Sequence, residues 1–400
     1  MTEPIDPTGE PRATGISRRE LLRRGALGAA ALAAAPSLGG LLEAPGRRLS
    51  PFATKPPLPT HLPSGGLPAL VKAAQQEGHL NVIALPPNWA NYGNIIKTFH
   101  AKYKLTVNSA APNDSSAEEN TAISTLKGQS RGPDVVDVAP ALAVAGASQH
   151  LYTPYKVATW STIPATMKDP NGLWYGDYYG VISFGTNLNV QKTPPQDWSD
   201  LLNPRYHGQV AIDGDPRTAG DAFAAVFAAA LANGGSLDDI EPGINFFAKL
   251  KKAGNFIPAD ALPANIAKGS TPIAIIWDYL NLADKQLFNG NPRYTVSIPK
   301  TGVYGGFYCQ AISAYAPDPM AARLWEEFLY SDQGQLLYLA GFSHPARYAD
   351  LAKRNVIPAS LAAKLPPASA YKSVKFATTT QINNATKVLT QQWGPKVAGT

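Results

Sequence analysis

The chain has 400 residues, 44% hydrophobic and 16% charged, with a net charge of +6, enough apolar material for two ordinary domains. Its 36 prolines and 34 glycines follow no Gly-X-Y period, which excludes a collagen-like or low-complexity chain. The single cysteine, Cys309, excludes an internal disulfide, no Cys-x-x-Cys or His-x-x-x-His set is present to hold zinc or an iron–sulfur cluster, and no apolar run reaches the ~20 residues of a spanning helix.

Arg18 and Arg19 stand just before a small-residue apolar stretch over 25–35. Basic region followed by short apolar region is the order of an export signal, and the paired arginines resemble the twin-arginine type, so residues 1–35 are expected to be a signal peptide. Residues 36–66, with prolines at 45, 51, 56, 57, 59 and 63, read as an extended linker. Beyond them the basic residues are scattered, and no basic stripe is interleaved with aromatics, so nucleic acid is not an expected partner.

Apolar runs then alternate with amphipathic stretches. Strands are predicted over 80–85, 105–107 and 134–138, and helices over 94–104 and 117–129, the second opened by a capping box in which Glu118 follows Ser115 by three residues. This β-α-β-α-β series implies a mainly parallel sheet covered by helices on both faces. A long strand over 179–187 follows, then a short helix over 198–202, strands over 208–212, 272–277 and 294–298, and helices over 219–232 and 237–252. A strand over 307–315 precedes two helices, 319–329 and 332–340. The expected architecture is two α/β units, with the chain crossing between them near 180–187 and 303–312.

Enzyme motifs fit poorly. Gly128-Gln129-Ser130-Arg131-Gly132 has a helix before it and a strand after it, the reverse of a nucleophile elbow. Ser124-Thr125-Leu126-Lys127 with Lys300-Thr301-Gly302 carries two marks of the penicillin-recognising serine hydrolases, but the third is absent and Ser124 is mid-helix. That hydrolase is the alternative from another class. The six histidines stand apart from any base or ligand pattern, and neither cofactor nor metal is expected.

Polar and aromatic residues collect instead at strand ends, where open α/β sheets bind ligands. Asn88, Trp89 and Tyr92 follow the first strand, Ser115 and Ser116 the second, and Ala139-Pro140 the third; Asp213 and Asp215 end a later strand, and Trp277 and Asp278 another. Aromatic faces with carboxylates suit a cationic or amine ligand, whereas helix starts suit an anion. Each residue also has a bland reading: Asp213 and Asp278 as helix caps, Trp277 as core.

The runs Tyr178-Tyr179-Gly180-Val181-Ile182-Ser183-Phe184-Gly185-Thr186-Asn187 and Asp197-Trp198-Ser199-Asp200-Leu201-Leu202, with Gly208-Gln209-Val210, resemble the solute-binding proteins of bacterial ABC transporters. So does the helix pair around Pro319-Met320-Ala321-Ala322-Arg323-Leu324-Trp325 and Ser331-Asp332-Gln333-Gly334-Gln335, and the resemblance spans about 66 to 350. It implies an α/β, two-lobed periplasmic-binding-protein-like fold, each lobe a mainly parallel sheet flanked by helices, with lobe 1 over 67–184 and 308–400 and lobe 2 over 185–307. It also implies a periplasmic or extracellular, monomeric, non-catalytic protein that hands a small solute to a permease driven by an ATPase.

The most similar groups bind spermidine and putrescine, or iron(III). Polyamine binders carry an aromatic-x-Asp after a Pro-x-x-Gly turn; here Pro299-Lys300-Thr301-Gly302 leads to Tyr308-Cys309-Gln310, with an amide in place of the acid. Iron binders carry a tyrosine pair where this chain has Asp278-Tyr279. The resemblance thus implies aromatic walls from Trp89, Tyr179, Trp277 and Tyr308 and polar grips from Asp213, Asp278 and Gln310. An amine-bearing solute is expected, with ferric iron or a phosphonate or organophosphate as alternatives.

Overall fold

The computed structural model describes residues 57–399; the expected signal peptide and the linker as far as residue 56 lie outside the described residues. In chain order the strands are β1 (His79–Ile83), β2 (Thr106–Ala110), β3 (Val135–Val138), β4 (Tyr152–Thr153), β5 (Tyr175–Asn187), β6 (Val210–Ile212), β7 (Ile273–Trp277), β8 (Tyr294–Ser297), β9 (Tyr304–Ser313), β10 (His344–Pro345) and β11 (Lys375–Phe376). Most follow from apolar runs that the sheets bury on both faces: β3 and β7 are buried throughout, and in β5 only Tyr179 is not.

In the first unit β1 and β2 run parallel. The Asp134 N–H donates to the Asn81 carbonyl at 2.9 Å, which sets β3 on the other side of β1. Helix Tyr92–Tyr103 buries Tyr92, Ile95, Phe99 and Tyr103, an apolar stripe at helical spacing. Helix Ser116–Thr125 opens on the expected capping box, the Ser115 N–H and hydroxyl donating to Glu118 at 2.7 and 2.8 Å.

In the second unit β6 runs parallel to β7. Over it lies the alanine-rich helix Gly220–Ala232, packed so closely on Glu241–Lys252 that a Cβ at Gly243 would strike the Val226 carbonyl.

Two long strands join the units. Residues 175–181 of β5 pair with β9, whereas residues 182–187 pair with β7 and β8; all these pairings are antiparallel. At its far end β9 pairs antiparallel with β3 and β4. The two-lobed α/β fold is therefore as expected, but the sheets are mixed: among the named strands of the described residues, parallel pairing is confined to β1–β2, β6–β7 and the short β9–β11 contact. The cause is that β5 runs through both sheets antiparallel to β7, β8 and β9, and β9 in turn runs antiparallel to β3 and β4.

Helices Pro319–Leu329 and Asp332–Ala340 form where expected. Helices Pro140–Ser148, Asp278–Phe288 and Thr379–Trp393 are additional to the sequence expectation. Among the described residues no helix is long and apolar enough to cross a membrane.

Candidate functional site

The ends of β1, β3 and β7 converge on the two crossing strands, and the aromatic residues there pack on one another. Tyr178 of β5 stacks on Tyr308 of β9, centroids 5.9 Å apart and planes at 13°. Trp89, on the turn after β1, meets Tyr308 and Tyr279 edge-on at 5.4 and 6.0 Å, and its indole N–H donates to the Tyr178 hydroxyl at 2.6 Å. Trp277 stacks on Tyr279 at 6.3 Å. Because neighbouring strand residues face opposite ways, Tyr179 meets His344 and Phe376 instead, at 4.9 and 5.6 Å.

Two buried acids lie beneath the cluster. Asp137 of β3 accepts from the Tyr92 and Tyr178 hydroxyls, both at 2.9 Å. Asp177 of β5 accepts from the Tyr338 hydroxyl at 2.8 Å and from the Gln310 amide at 3.0 Å, with the Tyr92 hydroxyl 3.1 Å away. Gln310 is opposite Asp137 in the β3–β9 register, and its amide also donates to the Tyr92 oxygen at 2.8 Å. Burial pushes Asp137 up to about 7 against the hydrogen bonds that favour its charge, and burial with the neighbouring Asp137 charge pushes Asp177 well above the usual carboxylate range. The pair holds a proton in the neutral range more readily than exposed acids do.

Among the described residues, the buried carboxylate and amide acceptors around these rings without a partner are Asp137 Oδ1, Gln310 Oε1 and, from the second unit, Asp221 Oδ2; the Tyr279 hydroxyl and the Trp277 indole N–H are unpartnered beside them. Buried polar atoms are rarely left so. Asp221 lies in the first turn of Gly220–Ala232, and its charge, after burial, is the largest cause raising the Tyr308 phenol. Gly220 shows how closely the units meet, since a Cβ there would stand 2.9 Å from the Tyr308 hydroxyl and 2.8 Å from Ala139 Cβ.

A small cavity of about 50 Å³ adjoins Tyr308 and Trp277. The starts of helices Pro140–Ser148 and Gly220–Ala232 line it, and neither is capped by the residue before it, although Pro140 has no N–H and the Asp221 carboxylate accepts from the Ala222 N–H at 2.7 Å, which leaves few backbone N–H groups to an anion. Arg217 also lines it, but its guanidinium is held by Asp215, Nε standing 3.0 and 3.1 Å from the two carboxylate oxygens.

Of the residues expected from the sequence, the structure brings Trp89, Tyr92, Trp277, Tyr308 and Gln310 together. Asn88 is exposed on its turn, and Ser115 caps its helix. The Ser116 hydroxyl accepts from the Ala139 N–H at 3.0 Å, holding the end of β3 to the helix beside it. Asp213 is half-buried and raised to about 6 by burial and by Asp260, while Asp215 holds Arg217. Asp278 is fully buried and accepts from the Val181 and Tyr279 N–H groups, each at 3.0 Å, and from the Tyr371 hydroxyl at 2.7 Å. The fold itself thus takes up its oxygens. Sequence reasoning marked Tyr279 only against the iron binders' tyrosine pair and did not single out Asp137, Asp177, Asp221 or Tyr338; an acid within Val135-Val136-Asp137-Val138 is a readable anomaly, whereas nothing local marks Tyr338. Ser124 donates to the Asn120 carbonyl of its own helix at 3.4 Å, and the Lys127 ammonium lies 4.0 Å from the Tyr315 ring centre, so neither engages the other. Among the described residues no three His, Cys, Asp or Glu side chains are grouped to hold a metal ion.

Residues 133–378 match the family described as bacterial extracellular solute-binding protein. Among solved structures, the periplasmic binding protein AfuA from Actinobacillus pleuropneumoniae, with fructose-6-phosphate bound, superposes with a TM-score of 0.65 at 19% identity over 81% of this chain and 99% of its own. Iron-bound HitA from Pseudomonas aeruginosa gives 0.59 at 19% identity, over 78% and 98%. AgtB from A. tumefaciens R10, in complex with agropinic acid, gives 0.63 at 12% identity, over 80% and 99%. These likenesses concern the fold. No curated protein sequence matches the chain.

Proposed function

Since the chain belongs to the bacterial extracellular solute-binding protein family, we propose that it is the capture subunit of an ABC importer and that its solute carries an amine. The observation that carries the ligand class is the set of three unpartnered buried acceptors, Asp137 Oδ1, Gln310 Oε1 and Asp221 Oδ2, beside the faces of Trp89, Tyr178, Tyr279 and Tyr308. An ammonium group supplies only donors and a positive charge, the complement of orphaned acceptors and ring faces. Asp137 and Asp221 take the role expected of Asp278, because the Asp278 oxygens already accept from Val181, Tyr279 and Tyr371. Gln310 accepts through its free oxygen while its amide holds Asp177.

In this reading the lobes cover 67–184 with 308–400 and 185–307, helix Thr379–Trp393 of the first span packing on the second through Trp393 on Phe247 and Phe256, and they close by flexing β5 and β9. The twin-arginine-type leader exports a monomer to the periplasm or the cell exterior, where it hands the solute to a permease driven by an ATPase. The protein binds without catalysing; Ser124, Lys127 and Lys300 have no serine-hydrolase role.

A second reading, an anion such as a phosphonate or phosphate ester, draws on the two uncapped helix starts that line the cavity. Iron(III) has less support, since Tyr279 has Asp278 beside it where a second phenol would be needed. A thermal-shift panel of putrescine, 4-aminobutyrate, ferric citrate, phosphate and fructose 6-phosphate separates these readings, because a ligand that binds only the native state raises the melting temperature. The amine reading expects the rise with putrescine or 4-aminobutyrate. A rise with the phosphates alone replaces it by the anion reading.

A further inference from the structure

The cavity beside Tyr308 is bounded on its outer side by residues far away in the chain. Ala377, Ile382 and Thr386 line it together with the starts of helices Pro140–Ser148 and Gly220–Ala232. We infer that helix Thr379–Trp393 is the third wall of the solute chamber, and that Ile382 and Thr386 touch the hydrocarbon part of the solute and limit its size. The inference rests on the reading that this cleft takes a solute.

The helix is well seated for that role. A capping box of Thr378 and Gln381 starts it, and Ile382, Ala385, Leu389 and Trp393 form one buried stripe. It is anchored to the second unit: Gln381 donates to Asp238 at 3.0 Å, Trp393 packs on Phe247 and Phe256 at 5.6 and 6.3 Å, and Lys396 just beyond it reaches Glu241 at 2.9 Å. Its other contact is with helix Pro140–Ser148 of the first unit, so one helix fixed to one unit closes the cleft against the other. The segment leading to it is pinned as well, by the Tyr371 hydroxyl on Asp278 and by β11 on β9. The Thr386 hydroxyl donates to the Ile382 carbonyl at 2.9 Å, leaving a largely apolar wall that bounds a solute without gripping charge.

The full chain tests this in two arms. The native thiol Cys309 is buried, so a bimane label on Thr386→Cys reports from the helix, and Trp277 across the cavity quenches it on contact. Emission is expected to rise when Trp277→Phe is added; unchanged emission overturns the shared wall, whatever the solute. In the second arm putrescine is titrated into wild type and into Thr386→Trp, with melting curves to confirm that both fold. Filling the chamber is expected to weaken binding about tenfold or more, and equal affinity overturns the contact role. If wild type itself ignores putrescine, the amine reading fails while the bimane arm still decides the wall.

Discussion

Replacing Asp137 by asparagine keeps the shape of the side chain and removes one charge from the buried acid pair. Burial moves Asp137 from 3.8 to about 7 in the fold, a cost to its ionised form of about 4 kcal/mol at pH 8. The Tyr92 and Tyr178 hydroxyls, both at 2.9 Å, bind an amide oxygen less strongly than a carboxylate, which returns part of the gain. The net expectation at pH 8 is a stabilisation of about 1–3 kcal/mol. At pH 5 the wild-type acid is protonated in the fold but still ionised in the unfolded chain, so about 1.6 kcal/mol of that cost remains and the advantage is expected to shrink by about 2.5 kcal/mol. Urea unfolding at the two pH values, with unchanged denaturant slope, measures both numbers. The same variant is expected to lose about ten- to a hundredfold in amine affinity, the worth of one charge-assisted hydrogen bond. A variant less stable than wild type at pH 8, or equally stabilised at pH 5, would refute the reasoning.

The wild-type protein should melt higher at pH 5.5 than at pH 8: Asp134 and Asp284 are raised to about 7 and Asp213 and Asp278 to about 6, all chiefly by burial, so the fold holds more protons than the unfolded chain above about pH 4 and loses stability as pH rises to about 7. Buried His344, lowered to about 4, opposes this below pH 6.5 but is one group against several; a melting temperature that climbs from pH 5.5 to 8 would contradict the balance. Trp393→Ala removes the ring packed on Phe247 and Phe256 and should cost about 3–5 kcal/mol in urea unfolding, with faster amide exchange across 379–393; wild-type stability would mean that the helix is not seated as described. Gly185→Ala places a methyl against the Tyr294 hydroxyl and the Asn281 amide oxygen, which bond to each other at 2.6 Å. It should cost about 1–3 kcal/mol, and an unchanged unfolding midpoint would show that β5 can yield there.

Local patterns explain which parts of this fold were readable. Strands β1, β3 and β7 are short apolar runs bounded by turn residues, the later part of the long β5 is an apolar run as well, and the Ser115 capping box and the Pro319 helix start are short-range chemistry; all of these are legible one window at a time. Helix Pro140–Ser148 is not, because Pro-Ala-Leu-Ala-Val-Ala-Gly-Ala-Ser is small or apolar all round and shows no face. Helix Thr379–Trp393 did carry readable marks, a Thr-x-x-Gln box and apolar residues at helical spacing. The site is harder. Trp89 and Trp277 could be named from strand ends and Tyr308 from the family resemblance, but Asp278 is occupied by Tyr371, 93 residues away, and that partnership is invisible to spacing. Choosing Tyr178 over Tyr179 needs the sheet face, and pairing Asp137 with Gln310 needs the β3–β9 register.

The most direct test of an amine held by buried acids is calorimetric titration of putrescine into wild-type protein at pH 6 and pH 8, each in two buffers of different ionisation enthalpy. Asp137 is raised to about 7 in the free protein, and an ammonium partner demands its charged form. Binding should therefore be tighter at pH 8 and should release about one proton at pH 6. Affinity that does not change with pH and releases no proton, or binding of phosphate with none of putrescine, would contradict the account.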